Sequence, residues 1–325
     1  MLAVLTILLI LAVGFVAFTN GANANFKGVA SLYGSGTATL RQALYWGTAT
    51  TLAGSMASIF LAEGLLKAFS GKGIVPDELV RSPGFLSAVA VGAACTSFLA
   101  TRLGFPVSTT HALVGGITGA GLAGSGTNVE FSALGKTFLY PLFFSPVVAV
   151  IVGGMAYLTL RLCHLAPDHR TRTLDVLHYA SAGAASFARG LNDTPKMVAL
   201  LMVLPEMKES TGFYGGYLGV AVLIALGGLL DADKVAETLG KKVTAMNPGQ
   251  GFAASLTTAL LVTTASFHSL PVSTTHVSVG SLLGIGITTG QAKWRTVGEI
   301  LLAWVSTVPV GALLGALAYV VISRI

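Results

Sequence analysis

Charge is what this chain has least of. Only 10% of its 325 residues are Asp, Glu, Lys or Arg, where soluble domains carry about 25%. The chain is also 53% hydrophobic, with a mean hydropathy of +0.78. So little polar surface cannot cover a globule in water, which excludes a soluble fold and places the chain in a membrane. Cysteine is nearly absent: Cys95 and Cys163 lie in apolar stretches, so neither a disulfide framework nor a cysteine metal cluster is expected. No His-Glu-x-x-His run, compact His/Cys group or nucleophile elbow is present, which removes the usual anchors of a hydrolase. Strict polar–apolar alternation is missing too. The apolar stretches are long and continuous, so the spans are helices and not barrel strands.

The net charge is +6. The basic residues sit mostly at helix ends and in short loops, where they orient a protein in the bilayer. The expected partner is membrane lipid, with no nucleic acid. Met1 to Phe18 lacks a basic n-region and a small-x-small cleavage site, and reads as the first helix of the mature protein.

Against this apolar background one polar hexapeptide occurs twice, as Pro106-Val107-Ser108-Thr109-Thr110-His111 and as Pro271-Val272-Ser273-Thr274-Thr275-His276. The copies are 165 residues apart (276 minus 111), about half the chain, and each precedes a Gly-rich apolar run. A second correspondence aligns Phe18-Thr19-Asn20-Gly21-Ala22-Asn23 with Phe187-Ala188-Arg189-Gly190-Leu191-Asn192 at an offset of 169 (187 minus 18), which also places Lys196 on Lys27. The expected fold is an all-α integral membrane protein of two inverted repeats with broken helices and re-entrant hairpins, parallel repeats being the alternative. Residues 1–163 form the first repeat, 164–172 a basic cytoplasmic loop, and 173–325 the second repeat. Helix breaks are expected at Thr19–Gly28 and at Gly190–Lys196, because irregular backbone at membrane depth is tolerated only where it is buried or lines a cavity. The basic stretch Arg161 to His178, with three His, is read as the linker on the cytoplasmic side. Interruptions recurring in corresponding places point to a secondary transporter with its substrate site near the midplane.

The chemistry follows from residue types. Pro followed by Ser-Thr-Thr suits a helix start, whose first N–H groups lack partners and carry the positive end of the dipole. Such a terminus is ready to bind an anion. Ser108, Thr109, Thr110, Ser273, Thr274 and Thr275 are therefore candidates for binding a small tetrahedral oxyanion, with Lys27 and Lys196 supplying charge. Asn23, Asn192 and Asp193 are candidates for cation coupling, Asp193 as a cation ligand, a proton carrier or the partner of Lys196; no metal is expected beyond the coupling ion there. His111 and His276 are expected to be hydrogen-bonded structural residues, and Glu63 with Lys67 an ordinary helix-surface pair.

These residues resemble the PiT family of inorganic phosphate transporters, which carries a Gly-x-Asn-Asp signature and a Pro-Val-Ser-Thr-Thr-His-like hairpin in each half. The second signature stands here as Gly190-Leu191-Asn192-Asp193, both hairpins are intact, and Gly34-Ser35-Gly36 through Leu40-Arg41-Gln42-Ala43 also looks like the family's first half. The resemblance covers nearly the whole chain. It implies cation-coupled symport of phosphate with Na+ or H+, no cofactor, an elevator-like or rocking movement, and a homodimer in a prokaryotic inner membrane. There are departures. The first signature reads Gly21-Ala22-Asn23-Ala24, with Ala for the family's Asp; Lys27 and Lys196 stand where Asn is common, and Thr51 where an acid is common. They leave open fewer coupling ions, proton coupling, or sulfate as the anion. The alternatives are a sulfate permease of the same family, an anion channel, and a membrane enzyme using His111 or His276.

Overall fold

A computed structural model describes all 325 residues. Ten long helices carry the fold, five from each half: α1 (Leu2–Ala24), α2 (Leu40–Leu61), α3 (Pro83–Leu103), α4 (Thr109–Ser125) and α5 (Tyr140–Leu162), then α6 (Arg172–Leu201), α7 (Ser210–Asp231), α8 (Pro248–Phe267), α9 (Thr274–Thr289) and α10 (Trp294–Ile322). Five segments are long and apolar enough to cross a membrane: those built on α1, α3, α5, α7 and α10. Large apolar side chains such as Leu11, Phe60, Leu302 and Val305 face outward, as expected where the solvent is lipid, while Asn20, Asp193 and Lys196 are buried inside.

The two sets of five correspond in packing as well as in order. Helix α1 packs on α3 as α6 packs on α8, and α1 on α7 as α6 on α2; α4 packs on α10 as α9 on α5, and α3 on α10 as α8 on α5. A contact set that maps onto itself when the halves are exchanged is the signature of an approximate two-fold relation between them. Glycine allows close approach at several of these crossings. A Cβ on Gly227 of α7 would collide with the Phe18 carbonyl of α1, and one on Gly54 of α2 with the Phe187 carbonyl of α6. Phe18 and Phe187 are equivalent by the 169-residue offset. Lipid gives helices no hydrophobic reason to associate, so close packing through small residues supplies the attraction.

Each hexapeptide joins two helices that pack on one another. Ser82 caps α3 with Pro83 in its first turn, and Asn247 with Pro248 does the same for α8 through a capping box with Gln250. Helix α3 ends at Gly104 with φ +77, the left-handed conformation that glycine adopts without cost. At the equivalent place after α8, φ is +57 at Ser269, which has a Cβ to accommodate.

Two expectations are corrected. Helix α1 does not stop at Phe18: it continues to Ala24, and the break is a 3₁₀ turn at Asn25–Gly28 followed by a short helix at Ala30–Gly34. The expected break at Gly190–Lys196 is absent, since α6 runs from Arg172 to Leu201 with Pro195 inside it. Pro195 removes one backbone hydrogen bond from α6, and a helix packed among neighbours at membrane depth tolerates that loss because adjacent groups satisfy what is freed. The linker also differs from expectation in one residue. His178 lies inside α6, buried, with Nε2 2.9 Å from Ser31 Oγ and Nδ1 3.3 Å from Thr37 Oγ1.

Candidate functional site

The helices α4 and α9 begin at the two hexapeptides, at the centre of the bundle. Ser108 and Ser273 are their N-caps, each hydroxyl accepting a bond from the backbone N–H three residues on, His111 and His276, at 3.2 Å in both cases. The third polar residue of each copy reaches across to the other. Thr275 Oγ1 donates to the Val107 carbonyl at 2.7 Å, and Thr110 Oγ1 to the Val272 carbonyl at 3.4 Å. Each of these carbonyls also receives a lysine of its own half, Lys27 Nζ on Val107 at 2.8 Å and Lys196 Nζ on Val272 at 3.1 Å. All of these side chains are buried.

The middle threonines differ. Thr109 Oγ1 accepts from Asn20 Nδ2 at 2.9 Å, whereas Thr274 Oγ1 donates to Asp193 Oδ2 at 3.4 Å. Asn20 Nδ2 also reaches Asp193 Oδ2 at 3.2 Å. Asp193 thus joins the C-terminal end of α1, the second hexapeptide and its own helix. Lys196 Nζ contacts four oxygens: Thr110 Oγ1 at 2.9 Å, Asn192 Oδ1 at 2.5 Å, Asp193 Oδ1 at 3.0 Å and Val272 O. Lys27 has Val107 O as its hydrogen-bond acceptor and lines a narrow cavity with Ser31, Ser255, Thr258 and Ser278. Position 24, equivalent to Asp193, is Ala, so Lys27 has no carboxylate on its own helical segment.

Asn23 and Asn192 are brought to the centre and tied down in matching ways. Asn23 Nδ2 donates to Thr101 Oγ1 at 3.0 Å and to the Phe105 carbonyl, while its oxygen accepts from Val107 N–H. Asn192 Nδ2 donates to Ser266 Oγ at 3.0 Å; Ser266 is the 165-residue equivalent of Thr101. Asn23 therefore anchors the first hairpin break, whereas Asn192 holds the end of α8 and its own Lys196. His111 and His276 sit face to edge, 4.7 Å between centroids, with His276 against Trp304 and its Nδ1 2.9 Å from the Leu142 carbonyl. They form a packed pair beside the hydroxyl cluster. Glu63 and Lys67 pair at 3.2 Å on an exposed surface, as expected.

Two residues at the centre went unassigned in the sequence reading. Arg189 is 1% exposed. Its Nη2 donates to the Asn20 backbone carbonyl at 3.2 Å and to the Asn20 side-chain oxygen, its Nη1 lies 3.4 Å from Asn25 Oδ1, and its Nε is 3.6 Å from Asp193 Oδ2. A signal was present: Arg189 stands four residues before Asp193 in a helix otherwise poor in charge, the spacing of an ion pair. Asn20, its partner, looks like one polar residue among several. Three basic side chains against one carboxylate leave the buried cluster with a formal charge of +2. Uncompensated charge at membrane depth is costly and marks a functional site by default; an excess of cations and hydroxyl donors suits a small anion.

Residues 20–315 match the phosphate transporter family. The chain belongs to that family. It is 30% identical to a "Probable low-affinity inorganic phosphate transporter" of Rhizobium meliloti, over 94% of this chain and 92% of that one. A protein of the same description from Bacillus subtilis is 27% identical over 100% and 99% of the two chains. Among solved structures, "The sodium-dependent phosphate transporter" superposes with a TM-score of 0.82, covering 99% of this chain and 100% of that one at 23% identity, a likeness of fold. The family identifies the chain as a multi-pass phosphate transporter of the plasma membrane, and not an enzyme.

Proposed function

We propose that this phosphate transporter is a secondary transporter that binds inorganic phosphate between the N-termini of α4 and α9 and moves it by symport with a cation. The observation that carries the reading is the crossed pair of hexapeptides, each threonine on the opposite valine carbonyl, set in a buried cluster of formal charge +2. Ser108, Thr109, Thr110, Ser273, Thr274 and Thr275 supply hydroxyls and helix N–H groups to the anion, and Lys27 and Lys196 supply its counter-charge. Asn23 holds the first hairpin break, and Asn23, Asn192 and Asp193 carry the coupling to Na+ or H+. Each half has three long helices outside its hairpin. With the hairpins re-entrant, an odd number of crossings gives inverted repeats, 1–163 and 173–325, joined through the basic loop 164–172 on the cytoplasmic face. Exchange of the two inverted halves is the movement that such architectures use for alternating access, here in a homodimer.

Phosphate is preferred to sulfate because Asp193 lies among the hydroxyls. A protonated phosphate oxygen can donate to a carboxylate, and sulfate at neutral pH has no proton to offer. The test is uptake of radiolabelled phosphate into liposomes containing the purified protein. Saturable uptake that responds to a cation gradient and is displaced by excess phosphate, with sulfate a poor competitor, is the expected result. Equal competition by sulfate, or an unsaturable flux of channel type, would overturn it.

A further inference from the structure

The name of the structural relative raises the question of where this chain would place a sodium ion. Alkali cations in transporters of discontinuous helices are held by carboxylates and by carbonyls freed at helix breaks. Here such a nest is assembled around one point: the Asp193 carboxylate, the Asn192 side-chain carbonyl, the Val272 backbone carbonyl at the hairpin break and the Thr110 hydroxyl. The atom at that point is Lys196 Nζ, within 3.1 Å of all four oxygens. An ammonium has three N–H groups, so four oxygen neighbours saturate it. A second cation admitted to this nest would meet the ammonium charge in a buried environment that screens it poorly.

The equivalent place in the first half is no freer. Ala24 offers no carboxylate there, and the Val107 carbonyl at the first break is taken by Lys27. The two halves thus hold an ammonium on the freed carbonyl of each hairpin. They differ in that Lys196 is matched by Asp193, whereas Lys27 faces a hydroxyl-lined cavity.

We propose that Lys196 is a tethered cation standing in an alkali-ion nest, so that phosphate binding and transport by this chain do not require Na+. Of the two coupling cations left open by the residues, this leaves the proton. The inference rests on the phosphate reading above, and it divides the work between the lysines. Lys196 neutralises Asp193 permanently, as a bound sodium ion would do only transiently. Lys27 keeps donors for the anion.

The test uses full-length protein in liposomes, with phosphate uptake measured in NaCl and in N-methylglucamine chloride of equal strength and pH. Rates equal within twofold, rising with an inward proton gradient in the sodium-free medium, are expected. A tenfold or greater loss without Na+ would overturn the proposal, and insensitivity to the proton gradient would overturn its proton arm. No phosphate uptake in either medium would remove the phosphate reading itself. A second measurement needs no phosphate. Thermal unfolding in detergent is compared in the two salts for wild type and Lys196→Ala. Removing the ammonium leaves its oxygens to a mobile cation, so Na+ should raise the melting temperature of the variant and leave that of the wild type unchanged. A sodium-dependent shift in the wild type sinks the proposal, whether or not the variant folds.

Discussion

Asn20 and Arg189 occupy the same place in the two halves of the sequence, and in the folded chain they touch: the Arg189 guanidinium donates to both the backbone and the side-chain oxygen of Asn20. His111 and His276, equivalent by the other offset, meet in the same way with centroids 4.7 Å apart. Residues related by a two-fold can touch one another only close to its axis. An approximate axis therefore runs through both pairs, between the two members of each. One member of the first pair is charged and the other is not. The geometry of the site is symmetric and its electrostatics are not.

Arg189→Gln is expected to destabilise the protein by about 3–5 kcal/mol, the range for breaking a buried ionic contact. It removes the guanidinium that holds Asn20 and lies 3.6 Å from Asp193. Thermal unfolding in detergent measures it. A change under 1 kcal/mol would mean that Arg189 is solvated or paired elsewhere.

Ser108→Ala and Ser273→Ala should each cost about 1 kcal/mol, as loss of an N-cap does, and the two costs should agree because the capping distances do. Ser108→Ala and Thr274→Ala are each expected to reduce phosphate uptake at least tenfold. Normal uptake in both would remove the assigned anion site.

Gly227→Ala and Gly54→Ala should destabilise by about 1–3 kcal/mol, the cost of overpacking, since each new methyl meets a carbonyl of the crossing helix. Matching losses in unfolding measurements would follow from the matching geometry. If either substitution is silent, the close approach of α1 to α7 or of α6 to α2 is mistaken.

Ser269→Gly should stabilise the protein by about 0.5 kcal/mol. It relieves a left-handed residue, worth about 1–2 kcal/mol, against a glycine entropy cost of about 0.5–1 kcal/mol. Gly104→Ala, the mirror experiment in the first hairpin, should destabilise by a similar amount, and unfolding midpoints of the pair decide it.

Much of this was legible in the chain. Membrane embedding, helical class and duplication follow from composition and from two offsets, because a bilayer forbids charge and unpaired backbone wherever lipid is the neighbour. The hexapeptides announce their own role, since Pro-Val-Ser-Thr-Thr suits a capped helix start whatever surrounds it. The polar run Gly190–Lys196 misled in one respect. It reads as a break, yet α6 is continuous through it: the one backbone bond that Pro195 forfeits is a loss that a packed membrane helix tolerates.

The sequence by itself determined which residues are polar at membrane depth, and hence which must meet. Local propensity and the cost of desolvation act on each residue without reference to the rest of the chain. Only the tertiary structure decided how they meet. Lys196 is the example: its place beside Asp193 is written in a spacing of three residues, but the Val272 carbonyl and the Thr110 hydroxyl come from segments 76 and 86 residues away. Whether a buried ammonium is a free charge for a substrate or a saturated one depends on those distant oxygens. No local pattern encodes them, because the packing of α4, α6 and α9 places them there.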